Sequence, residues 1–305
     1  MDRSVKYFNH RKFEVPYNFD SYIIEFYKIF KDNIQSVYIP CYYEDSYETR
    51  WKMTRAQLTQ GKAFTDPIGV PETREEWSKH IKAILEAGLE PNVLFQDPIR
   101  KYTDEQIQWY IDLGIKYFTV FQDSLAKQIR QLKPDAYIIA SVTKVLNPKE
   151  IESLPVGLYD DVVLHFAYNH AYDEVMKLRD DINYTMLTNT RCDERCLAQF
   201  HWLAPFRKNK DGEWYQIADF DNFKDDGFRC QYFNNDHRPS MLRPEHLHYY
   251  DKKVKTFKVL DRLVPTNTII YDLYAYTRNN VKDFIDIKEI NKKDIPFFAL
   301  DREGK

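Results

Sequence analysis

The chain has 305 residues, a formal net charge of -3 and a composition that is 43% hydrophobic and 30% charged. Its 23 Tyr and 20 Phe exclude an intrinsically disordered chain, which lacks such large apolar groups, and its interspersed charges exclude a global field for nucleic acid or anionic membranes. No apolar run reaches the roughly 20 residues of a membrane span, and the N-terminus lacks an apolar signal segment. We therefore expect a cytoplasmic protein that does not enter a membrane.

Short β-branched or aromatic runs alternate with longer amphipathic stretches along most of the sequence. This alternation is typical of βαβ units around a parallel sheet. The seventh of the eight predicted strands has the weakest pattern. In chain order, the predicted strands are 36–41, 92–96, 116–121, 136–142, 161–166, 184–189, 240–243 and 256–260.

Two of the predicted helices have sequence signals at their ends. The helix at 73–88 ends at Gly88, and the helix at 103–114 begins at a Thr103 N-cap and ends at Gly114. Six further helices are predicted from amphipathic spacing, at 122–132, 148–154, 170–179, 194–203, 244–253 and 266–278.

Eight strands that alternate with eight helices predict a (β/α)8 barrel, for which about 250 residues is typical. We expect an irregular barrel with insertions after the first strand and before the seventh, near 42–73 and 204–239. A doubly wound open sheet is the rival fold, but no glycine-rich phosphate loop follows any strand. We predict one domain over 1–305, with its core at 34–280 and a C-terminal extension at 281–305.

The four cysteines lie in or near segments that follow predicted strands. Cys41 closes the first strand, Cys192 and Cys196 follow the sixth strand four positions apart, and Cys230 lies in the later insertion. Because a barrel places its active site at the C-terminal ends of its strands, all four are candidates for one site. Converging thiolates suit tetrahedral zinc or an iron–sulfur cluster. The alternative is that Cys41 is a small core residue and the other three are incidental thiols.

Three further residues are candidates for catalytic roles beside this cysteine pair. Asn189 and Arg191 frame Cys192 at the end of the sixth predicted strand, and His201 follows Cys196 by five positions. At the mouth of a barrel these side chains can orient a substrate. Ordinary loop polarity for the first two, and a structural role on a helix face for His201, are the alternatives.

Two other features have both a functional and a structural interpretation. His165 ends the fifth predicted strand and can face the mouth, whereas Asp97 and Asp123 are typical of helix caps. At 207–220, basic and aromatic residues interleave, as in a surface for nucleic acid. A solvated hairpin that turns at "KDG" is the alternative for this segment.

Residues 244–262, "PEHLHYYDKKVKTFKVLDR", resemble the peptidase U32 (collagenase-like) family, in which an "lKIxGR"-like strand closes the barrel. Here that strand is "FKVLDR", with Asp261 in place of the glycine. The cysteine pattern also resembles this family, and is nearest to its iron–sulfur hydroxylase and ubiquinone-hydroxylation accessory members.

The resemblance implies a [4Fe-4S] cluster on Cys41, Cys192, Cys196 and Cys230, with zinc as the alternative occupant. It also implies oxygen-independent hydroxylation, or a related modification, of an aromatic substrate or an RNA base. Two other functions stay open at this point. The chain could be a non-catalytic, cluster-bearing partner of a paired barrel subunit, or a cysteine-dependent peptidase.

Overall fold

The structure is a computed structural model that describes part of the chain. The predicted insertions, the predicted helix at 194–203 and the C-terminal extension lie largely or wholly outside this part. Among the described residues, no helix has both the length and the apolar character that crossing a membrane requires. The described residues are 10–42, 71, 73–145, 148–190, 206–208, 210–211, 214–216, 240–260 and 266–278.

Eight parallel strands close into a barrel, which confirms the (β/α)8 prediction over the open sheet. The barrel strands are β1 (Lys12–Pro16), β2 (Ile34–Pro40), β3 (Pro91–Phe95), β4 (Tyr117–Val120), β5 (Tyr137–Ala140), β6 (Asp161–Leu164), β7 (Asn183–Leu187) and β10 (Thr256–Lys258). They follow one another around the barrel in chain order, and the last strand, β10, pairs with both β7 and β1.

Helices cover the outside of the barrel in the described ranges. The predicted helix at 170–179 contains only a short helix, and the one at 244–253 is a 3-10 helix, Pro244–Tyr249. Two other 3-10 helices span Lys31–Asn33 and Phe166–His170. The α-helices are α1 (Tyr22–Ile29), α2 (Arg74–Glu86), α3 (Asp104–Asp112), α4 (Asp123–Leu132), α5 (Pro148–Glu152), α6 (Tyr172–Met176) and α7 (Thr266–Arg278).

One barrel strand was not predicted and one predicted strand was wrong, so the number of strands still came out as eight. The barrel begins with β1, which lies before the predicted core boundary at residue 34. Residues 240–243 form no strand, because β10 already pairs with β7 at this side of the barrel. As a result, Cys41 follows the second barrel strand, and the later insertion follows the seventh strand, β7.

Residues 206–216 contain an antiparallel pair of short strands, β8 (Phe206–Lys208) and β9 (Trp214–Gln216). Lys210 and Asp211 form an exposed turn between them. This pairing confirms the hairpin alternative for this segment.

The hydrophobic core has two parts, divided by the wall of the barrel. The larger part lies between strands and helices, where α2 contributes the fully buried Trp77, Ile81 and Ile84 at helical spacing. The smaller part lies inside the barrel and includes Ile139 and Val163. Most of the apolar core therefore lies outside the barrel wall, and polar groups occupy much of the interior.

A capping box begins α3, as the sequence predicts. Thr103 Oγ1 accepts a hydrogen bond from the Gln106 amide at 3.2 Å, and Gln106 Oε1 accepts one from the Thr103 amide at 3.0 Å. We expect Thr103→Ala to lower the free energy of unfolding by about 1 kcal/mol, because the mutation removes one of these two acceptors. Urea denaturation measures the loss, Thr103→Ser is the matched control, and an unchanged midpoint for Thr103→Ala would contradict the prediction.

Candidate functional site

The C-terminal ends of the strands form a mouth that is lined by buried polar side chains. Ser141 and Thr143 follow β5, with their hydroxyl oxygens 2.9 Å apart. His165 follows β6 and is fully buried. Because active sites of such barrels lie at this face, the mouth is the candidate site.

Asn189 lies at the mouth, at the end of β7, where the sequence places it. Its Nδ2 donates to Asp272 Oδ2 at 2.6 Å, and its Oδ1 accepts from the Leu260 amide at 2.6 Å. Asp272 belongs to α7, and Leu260 follows β10. The side chain therefore ties three segments together, so it holds the chain that leads into the cysteine pair.

Cys41 follows β2 at the same face, but its side chain lies outside the barrel wall. It continues the set of Val37 and Ile39, which pack in the layer between strands and helices. The thiol belongs to a residue that is 1% exposed, and its Sγ lies 3.7 Å from the Tyr102 hydroxyl. This placement favours the interpretation of Cys41 as a small core residue.

The other predicted site residues, Arg191, Cys192, Cys196, His201 and Cys230, lie outside the described residues. Within the described ranges, no group of three or more His, Cys, Asp or Glu side chains could hold a metal ion. Thr190, which is buried, is the last described residue before the cysteine pair. The predicted ligand set therefore stays a prediction.

His165 caps the 3-10 helix that follows β6. Its Nδ1 accepts a hydrogen bond from the Ala167 amide at 3.2 Å, so a neutral ring carries its proton on Nε2. Asp97 also acts locally, since its Oδ1 accepts from the amides of Ile99 and Arg100. His165 thus caps a helix, whereas the amides that Asp97 binds belong to a bend, so the prediction of Asp97 as a helix cap was wrong.

The barrel interior holds a polar set that the sequence analysis did not identify. In most such barrels, layers of inward-pointing side chains are dominated by branched aliphatic residues. Here Ile139 and Val163 are the aliphatic members of the three central layers. From the N-terminal side, strand register and tilt give the layers Ser36, Tyr117, Asp161 and Thr256; Glu14, Asn92, Ile139 and Thr185; and Tyr38, Thr119, Val163 and Lys258.

A hydrogen-bonded chain links four of these interior side chains. Lys258 Nζ donates to Glu14 Oε1 at 2.5 Å, and Asn92 Nδ2 donates to the same oxygen at 3.1 Å. Thr119 Oγ1 donates to Asn92 Oδ1 at 3.1 Å, and the Lys258 ammonium lies 4.1 Å from the centre of the Tyr38 ring. The ion pair is almost completely buried, with side-chain exposures of 6% and 2%.

One sequence signal could have revealed this set. Glu14 and Lys258 each lie within a strand between two apolar neighbours, and Asp161 begins a strand whose next residues are apolar. In a barrel such a charged residue points either to the axis or to the helices, and neither place is solvent. A charge inside a central strand therefore predicts an interior partner.

No protein-family model and no curated protein matches the sequence. Among solved structures, a U32 peptidase is 13% identical over 83% of this chain and 94% of its own, with a TM-score of 0.46. A tryptophan synthase from M. tuberculosis is 10% identical over 89% of this chain and 91% of its own, with a TM-score of 0.45. An O-GlcNAc hydrolase from Thermobaculum terrenum is 10% identical over 97% of this chain and 63% of its own, with a TM-score of 0.40. Similarities at this level carry no information about the site or the reaction.

Proposed function

We propose that the chain is a (β/α)8-barrel enzyme of the U32 type, with an iron–sulfur cluster at its C-terminal mouth. The proposed reaction is oxygen-independent hydroxylation, or a related modification, of an aromatic substrate or an RNA base. One observation supports the proposed location of the cluster. Asn189 fixes the end of β7 at the mouth, and Cys192 follows Thr190 by only two residues, so the chain enters the cysteine pair from the mouth.

The proposed ligands are Cys192, Cys196 and Cys230. Cys41 was predicted as a fourth ligand, and its backbone does lie at the mouth, but its thiol packs beside Tyr102 in the layer outside the barrel. We therefore place Cys41 outside the ligand set. Three protein thiolates leave one corner of a cluster for substrate, whereas zinc on the same thiolates is the alternative occupant.

The residues of this chain hold the strand ends in place and supply polar side chains at the proposed site. A bound cluster supplies electron transfer. Asn189 holds the strand ends around the site through Asp272 and the Leu260 amide, and acts as a positioning residue. Arg191 and His201 are the proposed residues that orient the substrate.

Metal analysis after anaerobic purification tests the proposal. We expect about four irons per chain and a brown colour in the wild-type protein, and loss of both in Cys192→Ala. Cys41→Ala is the matched control, because the mutation removes a thiol that the structure places outside the mouth, and we expect it to retain the iron. Circular dichroism of each variant confirms that it folds.

The other outcomes of this experiment contradict parts of the proposal. A single zinc per chain, or a metal-free protein, would overturn the cluster. Loss of iron in Cys41→Ala would return Cys41 to the ligand set. A peptidase would instead show one thiol among Cys192, Cys196 and Cys230 that iodoacetamide alkylates preferentially in the metal-free protein.

A further inference from the structure

Among the residues that the structure describes, the barrel interior contains two carboxyl groups and one ammonium group. Glu14 and Lys258 form the buried ion pair, and Asp161, which is 1% exposed, lies in the layer below Glu14. If all three groups were charged, the interior would carry an uncompensated negative charge. Burial of an unpaired charge is costly, so such a group tends to change its protonation state instead.

The surroundings of Asp161 provide few donors for a charged carboxylate. From β5, the Tyr137 hydroxyl donates to Asp161 Oδ2 at a long 3.3 Å. Asp161 Oδ1 is buried and accepts no hydrogen bond from the described part of the chain. A stable buried carboxylate usually accepts several hydrogen bonds, and this arrangement suits the neutral acid better.

Some groups on the other neighbouring strands oppose the charged form of Asp161, and others favour it. Glu14 of β1 adds negative charge, whereas the hydroxyl of Thr185 on β7 can donate. Lys255, just before β10, is an exposed cation that acts on Asp161, with its ammonium 5.5 Å from the centre of the Tyr137 ring. On β10, Lys258 is already bonded to Glu14. No cation in the described part of the chain forms an ion pair with Asp161.

We propose that the barrel interior is a proton-binding site, in which Asp161 is a neutral acid in the native protein and releases its proton to solvent as the pH rises above neutral. The resulting buried charge weakens the contacts of β6 with β5 and β7, and so destabilises the barrel. Burial raises the pKa of Asp161 to about 7, and the Glu14 carboxylate also raises it, whereas Thr185, Tyr137 and Lys255 act to lower it.

The direction of the pH effect follows from proton binding in the two states. An unfolded chain releases the Asp161 proton near pH 3.9, whereas the native barrel keeps it to about pH 7. Between these values the native state binds one more proton than the unfolded state, so the stability from this group falls as the pH rises. Above about pH 7 both states are ionised and the loss is complete.

Comparison of the wild-type protein with Asp161→Asn tests the proposal. We expect the ratio of their folding equilibrium constants, wild type over variant, to fall about tenfold per pH unit between about pH 4.5 and pH 7, and to level off above. Asp160→Asn is the matched control, because Asp160 is the adjacent residue but is partly exposed and ion-paired with Arg130. We expect no such slope for the control.

A second measurement covers the case in which Asp161→Asn fails to fold. The carboxyl carbon of Asp161, followed by NMR in wild-type protein labelled at aspartate, should titrate near pH 7 in the native state. A carboxylate that stays ionised down to about pH 5, or a flat stability ratio, would overturn the proposal. A midpoint that shifts between sodium and potassium salts at equal ionic strength would assign the site to a metal cation and would also overturn it.

Discussion

Replacement of Lys258 by methionine is expected to lower the free energy of unfolding by about 3–5 kcal/mol, because the mutation leaves the Glu14 carboxylate buried without its cation. Methionine keeps much of the length and volume of the lysine stem, so loss of packing contributes little. Chemical denaturation of the wild-type protein and the variant at neutral pH measures the loss.

Two variants separate the buried charge from other causes. Lys28→Met removes the cation of the exposed Lys28–Glu25 pair on α1 and should change the stability by less than about 0.5 kcal/mol. The double variant Glu14→Gln, Lys258→Met removes both charges and should recover much of the stability that Lys258→Met loses. A double variant as unstable as the single one would contradict the buried-charge explanation.

The sequence predicted the barrel because the hydrophobic periodicity and the residues that mark helix ends were both clear, except in strands that contain charged residues. Thr103 and Gly114 mark the ends of the α3 region, and the runs that became β3 to β7 are apolar enough to be recognised. β1 was missed because Lys12 and Glu14 give its five residues the appearance of surface. Pairing between distant strands, here β1 with β10, decides whether such a residue meets solvent or an ammonium.

The candidate site was harder to predict because chain position does not fix side-chain direction. Cys41 does follow a strand at the mouth, yet alternation along β2 turns its thiol toward Tyr102 and the helices. Asn189 is at the mouth as predicted, but its amide bonds to Leu260 and Asp272. Sequence spacing can indicate a face of the barrel, but strand register decides which side chains can face a ligand there.

Asn189→Asp is expected to cost about 3 kcal/mol or more at neutral pH, because it places a second carboxylate where the Asn189 amide now lies 2.6 Å from Asp272 Oδ2. Two buried carboxyl groups this close cannot both ionise, so the native variant must keep a proton that its unfolded chain releases. Its loss of stability relative to wild type should therefore shrink as the pH falls toward about 5 and grow as the pH rises.

The exchanged pair Asn189→Asp, Asp272→Asn is the sharpest control for this prediction. It restores one amide and one carboxylate across the same gap, and the aspartate at 189 can still accept from the Leu260 amide. We expect it to be more stable than Asn189→Asp at about pH 8 and to lose the added pH dependence. Asn189→Ala, which leaves Asp272 without this donor but adds no charge, should lose about 1–3 kcal/mol at every pH in this range. If the exchanged pair were as unstable as Asn189→Asp, carboxylate repulsion would not be the cause, and strain at the end of β7 would have to explain the loss.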